Sequence, residues 1–526
     1  HAPRRSRSGS AAYRLKGRGD EVDQRDARPP RRSSSMPRSE SNSTPSREGR
    51  PGAATADGLD PARFRDSIPH GIDSWYPVLR GGPAPVLFAD TSELRAVQRL
   101  ARGWAELPEG GRVILQGGLR QRGRVDLDEL AAALERGGSA ERFVVFLGPG
   151  GVATLLPTAD RAAFRGGAAL LGRGGRTRPG LLEGLGLLTP FGLTGRNDRK
   201  ELTIWTKGGS RDGRDDLTVL PVEGSVAVIA SAPDRNQKII VRAQDRRGAA
   251  RAILKIGFNQ RSDDAIERET RAIEAVSKLC PGRAPELIAA SERAGRSWMA
   301  QEFLEGPNGG LRITNLHANM LEELAGAGRR DLPLREIDAF QAAVRRLEGL
   351  DPGFDPDWHD AYRALASALT NATDDAKLPV HAAHGDFVPW NLAVHEGRLR
   401  AFDWEHSELR APALHDLVHF HVQTGALASE IPGEQVFDEL RSLFAGPGGR
   451  VVSALGIDGE DVLRLVSLHV LQMGVTSEVV ERLRPAPLIE SVRLRRVRLA
   501  LCVRLAGLLA ERRLPEWCLV SGRAAA

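Results

Sequence analysis

Cysteine is scarce in this chain: Cys280, Cys502 and Cys518 stand far apart in 526 residues. Neither a disulfide framework nor a zinc site with paired-cysteine spacing can be drawn from them, and a reducing cytoplasm fits. Long apolar runs are missing as well. None approaches the ~20 residues needed to cross a bilayer, so no membrane span is expected. The first thirty residues lack the ~7 to 15 apolar residues of a secretory signal; the chain opens on His1, and a start could lie upstream or at Met36. Lysine is the third scarcity. It occurs at positions 16, 200, 207, 238, 255, 278 and 377, while arginine supplies the rest of the 74 basic residues. A lysine in a special context therefore carries more information than usual.

What is present is a protein of several folded units, since domains run to roughly 100 to 200 residues. The apolar fraction of 41% with 27% charged residues is that of a globular chain. The net charge of +6 is concentrated rather than spread: residues 1–57 carry thirteen Arg and Lys against seven Asp and Glu, which is the whole excess. The remainder is neutral and lacks the broad basic face that phosphate-backbone binding requires, so nucleic acid is not expected as a partner.

Residues 1–57, rich in Arg, Ser, Pro and Gly with almost no large apolar residue, read as a disordered basic tail. From 58 to 207, strand-like PVLFAD, GRVILQGG and RFVVFLG alternate with helix-like TSELRAVQRLARGWAEL and VDLDELAAALERG, which argues a small α/β domain of unknown role. LLPTADRAAFRGGAALLG continues it as a short helix. GPGG at 148–151 is a weak phosphate cradle, because no helix opens behind it and the GxGxxG spacing is absent. LPEGGRVIL resembles a late strand of class I methyltransferases, but the early Gly-rich cofactor loop of that fold is missing.

The Gly/Arg/Asp-rich stretch 208–216 reads as a linker, so a fragment from about 215 onward is expected to fold alone. Beyond it SVAVIASAP, KIIVRAQD and AILKIG make three antiparallel strands, followed by a helix from about Asp263 to Leu279 and a strand SWMAQEFL. These form an amino-terminal lobe over 217–308. The lobe over 309–526 is expected to be helical apart from one hairpin, NLAVHEGRLRAFDWE.

The most informative stretch is HAAHGDFVPWNLAVHEGRLRAFDWE. His384-Gly385-Asp386 is followed by Asn391 five residues after the Asp, then by Asp403 and Glu405. Phosphoryl transfer from ATP asks for these types: a carboxylate to accept the proton of the substrate hydroxyl, then an Asn carbonyl and a second carboxylate to hold magnesium on the phosphates. HGDFVPWN with FDWE resembles the aminoglycoside phosphotransferase and choline kinase family, over roughly residues 222–510. The resemblance implies a bilobal, α+β protein-kinase-like fold and phosphorylation of a small-molecule hydroxyl, with ATP and Mg as cofactors. It also implies Asp386 as the base, Asn391 and Asp403 as magnesium ligands, His384 as a brace of the loop, and Asp416 in PALHDLVHF as the aspartate that steadies the loop. Glu405 is left to a second metal or to the substrate pocket.

In the other lobe Lys255 ends the strand AILKIG and resembles the lysine that reaches the α- and β-phosphates. Glu269, in the helix IERETRAIEAV, is its expected partner, with Glu267 and Glu274 as competitors. Gln301 to Leu304, including Phe303, resembles the hinge that bonds adenine. Between the first two strands SAPDRNQK replaces the Gly-rich loop of protein kinases, leaving Ser231, Asn236 or backbone amides to touch phosphate.

His395, His406, His415, His419 and His421 crowd the region after the motif, but no carboxylate or cysteine partner has zinc-like spacing, and they read as satisfied structural histidines. The basic helix SVRLRRVRLALCVRLAGLLAERR is expected to pack on the carboxyl lobe. Trp390 and Trp404 flank the site, to stack on substrate or to fill core. The expected activity is ATP- and magnesium-dependent O-phosphorylation of a sugar, aminoglycoside or amino-alcohol type acceptor. The alternative is a pseudokinase or nucleotide-binding regulator working with the α/β domain.

Overall fold

The computed structural model describes residues 86–90, 100–116, 132–147, 153–157, 164, 200–208, 226–230 and 238–520, apart from short gaps inside those ranges. His1–Gly52 falls outside the described residues. So do the rest of the expected tail, GPGG at 148–151, positions 209–216 and the loop carrying Ser231 and Asn236.

Period-two patterning builds one large sheet. Its strands are β1 (Val86–Asp90), β2 (Arg112–Gln116), β3 (Gly138–Leu147), β4 (Ala153–Pro157), β5 (Lys200–Lys207), β6 (Val226–Ala230), β7 (Lys238–Gln244), β8 (Ala250–Gly257), β9 (Leu287–Arg293) and β10 (Arg296–Glu302). Their spatial order is β1-β2-β5-β3-β4-β6-β7-β8-β10-β9. The expected meander of three strands is β6, β7 and β8, paired antiparallel in sequence.

One expectation for this part of the chain needs correction. The segment around Leu155 and Leu156 is strand β4, not the start of a helix: an apolar pair between turn residues suits either, and antiparallel pairing with β3 decides it. The described strands on either side of positions 209–216 also belong to one sheet. Ala153, Thr154 and Leu155 of β4 pair with Ala230, Ile229 and Val228 of β6. Ile114, Phe143, Val145, Leu155, Ile204, Val228, Val241 and Leu254 belong to one apolar cluster that runs across that junction. Of the α/β pattern, β1 and β2 pair in parallel, with helical residues at 102–106 between them, whereas β2-β5-β3-β4 is antiparallel.

The helices are α1 (Gln260–Leu279), α2 (Asn315–Gly326), α3 (Asp338–Glu348), α4 (Pro356–Thr373), α5 (His415–Gln423), α6 (Gly433–Ala445), α7 (Pro447–Ala454), α8 (Gly459–Glu481), α9 (Ile489–Ala510) and α10 (Glu516–Val520). The α1 helix starts where Asn259 accepts the Ser262 amide and Ser262 Oγ accepts the Asn259 amide, a reciprocal cap that explains a start three residues before the expected one. The α9 helix packs into the carboxyl lobe through Val497, Leu501, Cys502, Leu505 and Leu509, as expected of its apolar face. No helix among the described residues is long and apolar enough to cross a membrane. All three cysteines are free and buried.

The carboxyl lobe is not helical apart from the hairpin, which is β13 (Leu392–His395) with β14 (Arg398–Ala401). A second sheet of β11 (Arg330–Pro333), β12 (Lys377–Ala383) and β15 (Glu408–Pro412) lies in the order β11-β12-β15. Short runs such as LPVHAA show no period of their own, and their partners lie 25 to 50 residues away. That sheet matters for the site, because β12 runs directly into His384-Gly385-Asp386.

Candidate functional site

Alternation along β8 places Leu254 and Ile256 in the sheet's apolar cluster and turns Lys255 to the opposite face, where Met299 joins the core that includes Ile266 and Ile273 of α1. On α1 the buried stripe reads Ile266, Glu269, Ile273 and Val276, so Glu269 stands where helical spacing demands an apolar residue. Lys255 Nζ donates to Glu269 Oε1 at 2.6 Å and Oε2 at 2.8 Å, and to Asp403 Oδ1 at 2.8 Å. The competitors Glu267 and Glu274 are exposed. Burial opposes the charge on Lys255, but the carboxylates of Asp403 and Glu269 outweigh it and its pKa is raised. Burial likewise works against an ionised Asp403, yet Lys255 and Lys238 hold its pKa well below the usual carboxylate range. The triad is thus a lysinium between two acids on three elements.

Asp403 follows β14 in left-handed conformation, φ 71° and ψ 53°. The single turn Trp404–His406 comes next, and its Glu405 forms an ion pair with Lys238 at the start of β7. Trp404 is core, its indole N–H donating to Ala401 O at 2.7 Å, whereas Trp390 is 47% exposed beside the motif.

The loop after β12 is fixed from two sides. Asp416, in the first turn of α5, accepts the backbone amides of His384 at 2.7 Å and Gly385 at 2.9 Å. Burial pushes its carboxyl up to about 7. Gly385 is at φ +83°, and a Cβ there would stand 2.0 Å from His406 O, so both the backbone and the space demand glycine. His384 Nε2–H donates to Phe402 O at 3.0 Å while its Nδ1 accepts the Asp386 amide at 3.2 Å. Burial holds this ring neutral, with its pKa down to about 4.

So braced, Asp386 presents a carboxylate about one-third exposed. Its Oδ1 accepts from His419 Nε2 at 3.0 Å and its Oδ2 from Asn391 Nδ2 at 2.9 Å. Burial raises its pKa, but the His419 hydrogen bond and nearby imidazoles lower it further, so the group is an anion. Asn391 Nδ2 also donates to Asp386 O at 3.0 Å, which leaves the Asn391 carbonyl oxygen as the free end of that side chain.

At the expected hinge, Gln301 is buried in β10 at a bulge against β9, and the Glu302 amide donates to Glu286 O at 2.9 Å. The Phe303 amide donates to Arg251 O at 3.2 Å, and the Arg242 guanidinium lies 5.3 Å from the Phe303 ring centre. These amides are engaged within the protein.

The structure therefore brings together Lys255, Glu269 and Asp403, Asp386 with Asn391, and His384 with Asp416 behind them. Two contacts escape sequence reasoning. The Lys238–Glu405 pair had only the rarity of lysine to signal it. The His419 contact to Asp386 had its i+3 spacing from Asp416, one helical turn along α5.

No curated protein is similar enough to count as a relative. Among solved structures, the chain is similar to a thermostable mutant of an aminoglycoside phosphotransferase in ternary complex with ADP and hygromycin B (13% identity, TM-score 0.36, covering 53% of this chain and 93% of that one). It is also similar to an aminoglycoside phosphotransferase from Alicyclobacillus acidocaldarius (13%, 0.32, 53% and 89%) and to a choline/ethanolamine kinase family protein from Mesorhizobium loti (18%, 0.34, 57% and 92%). A family comparison is more direct: over residues 235–448, the stretch that carries every side chain of the site just described, the chain matches the phosphotransferase enzyme family.

Proposed function

We propose that this chain transfers the γ-phosphoryl group of ATP to a hydroxyl of a small molecule of sugar, aminoglycoside or amino-alcohol type. The observation that carries the reading is the paired arrangement of Lys255 between Glu269 and Asp403 with Asp386 held by Asn391 on the neighbouring loop. A chain retaining only the fold as a regulator would have no need of both.

Asp386 is the candidate base. Its anionic carboxylate, oriented by two hydrogen bonds, accepts the acceptor's proton as the oxygen attacks phosphorus. Lys255 is positioned by Glu269 to meet the phosphates, exchanging its contact with Asp403 for nucleotide oxygens. The donor set suits magnesium: the Asn391 carbonyl is free of its own amide's contacts, and Asp403 uses one oxygen on Lys255 and keeps the other, giving hard oxygen ligands. Asn391 and Asp403 would hold the ion, which when bound neutralises phosphate charge. Exposed Trp390 offers a ring to the acceptor.

The test is ADP release against a panel of sugar, aminoglycoside and amino-alcohol acceptors, repeated with two variants. Asp386→Asn keeps shape and removes charge, so turnover should fall by about 10² to 10⁴ with ATP affinity nearly unchanged. Lys255→Ala should weaken ATP binding and rate together. Turnover of Asp386→Asn within twofold of the parent would remove the base assignment.

A further inference from the structure

Behind Asp386 lies a cluster that the proposed phosphoryl transfer engages only through His419. His415 and His419 occupy one face of α5 at i and i+4, and His469 projects from α8 to meet them. All three are buried, and each offers a ring nitrogen within 4.8 Å of the other two. His415 Nδ1 and His469 Nδ1 are 3.4 Å apart. That is long for a hydrogen bond but matches the edge of a tetrahedron of nitrogens about 2.0 to 2.1 Å from a zinc ion, roughly 3.3 Å. His419 commits Nε2 to Asp386, and its other nitrogen, Nδ1, is buried with no hydrogen-bond partner. An orphaned lone pair in a dry site is costly, and an ion would satisfy it.

We propose that His415, His419 and His469 form a buried site for one divalent first-row transition-metal ion, with His419 shared between the ion and Asp386. Three imidazoles select zinc, cobalt, nickel or copper over magnesium, which prefers oxygen. The sharing follows a recurrent pattern in which a metal-bound imidazole gives its other N–H to a carboxylate, fixing ring and tautomer. Here that carboxylate is the candidate base, so the ion would lock Asp386 from behind and tie α5 to α8. Burial keeps all three rings in the neutral, ligating form. Of the charges that face the cluster, Arg498 opposes a cation there and Asp386 favours one. The site shares no residue with the Asn391–Asp403 pair.

Untagged full-length protein, stripped with chelator and dialysed against Co(II) or Zn(II), should retain about one ion per chain by elemental analysis. The Co(II) form should show the intense visible bands of a tetrahedral nitrogen site. Asn391→Ala with Asp403→Ala should keep both properties, and His469→Gln should lose them. Parent protein that retains no ion after dialysis, or a folded His469→Gln that binds Co(II) with the parent's spectrum and stoichiometry, overturns the site. Should His469→Gln fail to fold, nitrogen scattering from Co(II) in the parent decides: three imidazoles support the site, and one or none refutes it.

Discussion

At the scale of single residues, the site turns on which carboxylate meets Lys255. Glu269 and Glu267 are two positions apart on one helix, yet one is sealed against the lysine while the other lies on the surface with Ser297 and Arg271. A buried ion pair that loses one partner typically costs 3 to 5 kcal/mol, because the remaining charge is stranded; Asp403 partly compensates here. Glu269→Gln is therefore expected to lower kcat/KM for ATP by about tenfold or more, equivalent to at least 1.4 kcal/mol of lost positioning. Glu267→Gln should stay within about twofold, as surface pairs contribute little. Equal losses in steady-state assays of the two variants would show that helix charge in general, not the Lys255 contact, matters. Most of this site was legible before folding. Asp386, Asn391 and Asp403 sit close in sequence, and the Lys255–Glu269 pair is betrayed by a glutamate on an apolar stripe. His469 was not, because nothing local marks a histidine whose partners lie some fifty residues away.

Elements expose a second limit of reading along the chain. Strands β9, β11, β12 and β15 passed as loop or helix, since strands of four to seven residues have too few positions to reveal a period and take their identity from partners. The caps were more local. Thr314 precedes α2, and His317 three residues on reaches back with Nδ1 to the Thr314 amide at 3.2 Å, while its ring meets Phe387 and Phe420 edge-on. Burial lowers the His317 pKa to about 4. In the unfolded chain the ring titrates near 6.5, so the unfolded state binds the extra proton first. The contribution of a neutral His317 is thus complete above about pH 6.5 and is lost as pH falls toward 4. His317→Gln cannot titrate. Its Tm deficit relative to the parent should be constant above about pH 7 and shrink steadily below about 6.5. A deficit that does not change with pH would show that the ring takes up its proton in the fold just as it does in the unfolded chain.

For the whole molecule, the shared sheet changes what truncation should do. Cutting at about residue 215 removes β1 to β5, uncovers the edge of β6 and strips Phe143, Val145, Leu155 and Ile204 from the cluster that holds Val228, Val241 and Leu254. An unpaired edge with exposed apolar surface invites association. The fragment 215–526 is therefore expected to self-associate at concentrations where the full chain stays monodisperse by light scattering, and a monodisperse fragment with the parent's Tm would show that the two halves of the sheet are energetically independent. Composition placed a boundary here for an intelligible reason: polar, glycine-rich sequence does separate the two parts of the chain, but hydrogen bonds between strands do not follow chain order.

The β4–β6 seam has a mechanical consequence. Among the described residues it is a short ladder, pairing Ala153, Thr154 and Leu155 with Ala230, Ile229 and Val228, whereas β3 and β5 are in register from Gly138 to Val145. Antiparallel hydrogen bonds lie across the strands, so a force along the strands loads a ladder all at once and a force across them opens it rung by rung. Tension applied crosswise to this sheet would part it first where its ladder is shortest, and the molecule would tear along the line between the part that carries Lys255 and the part that does not.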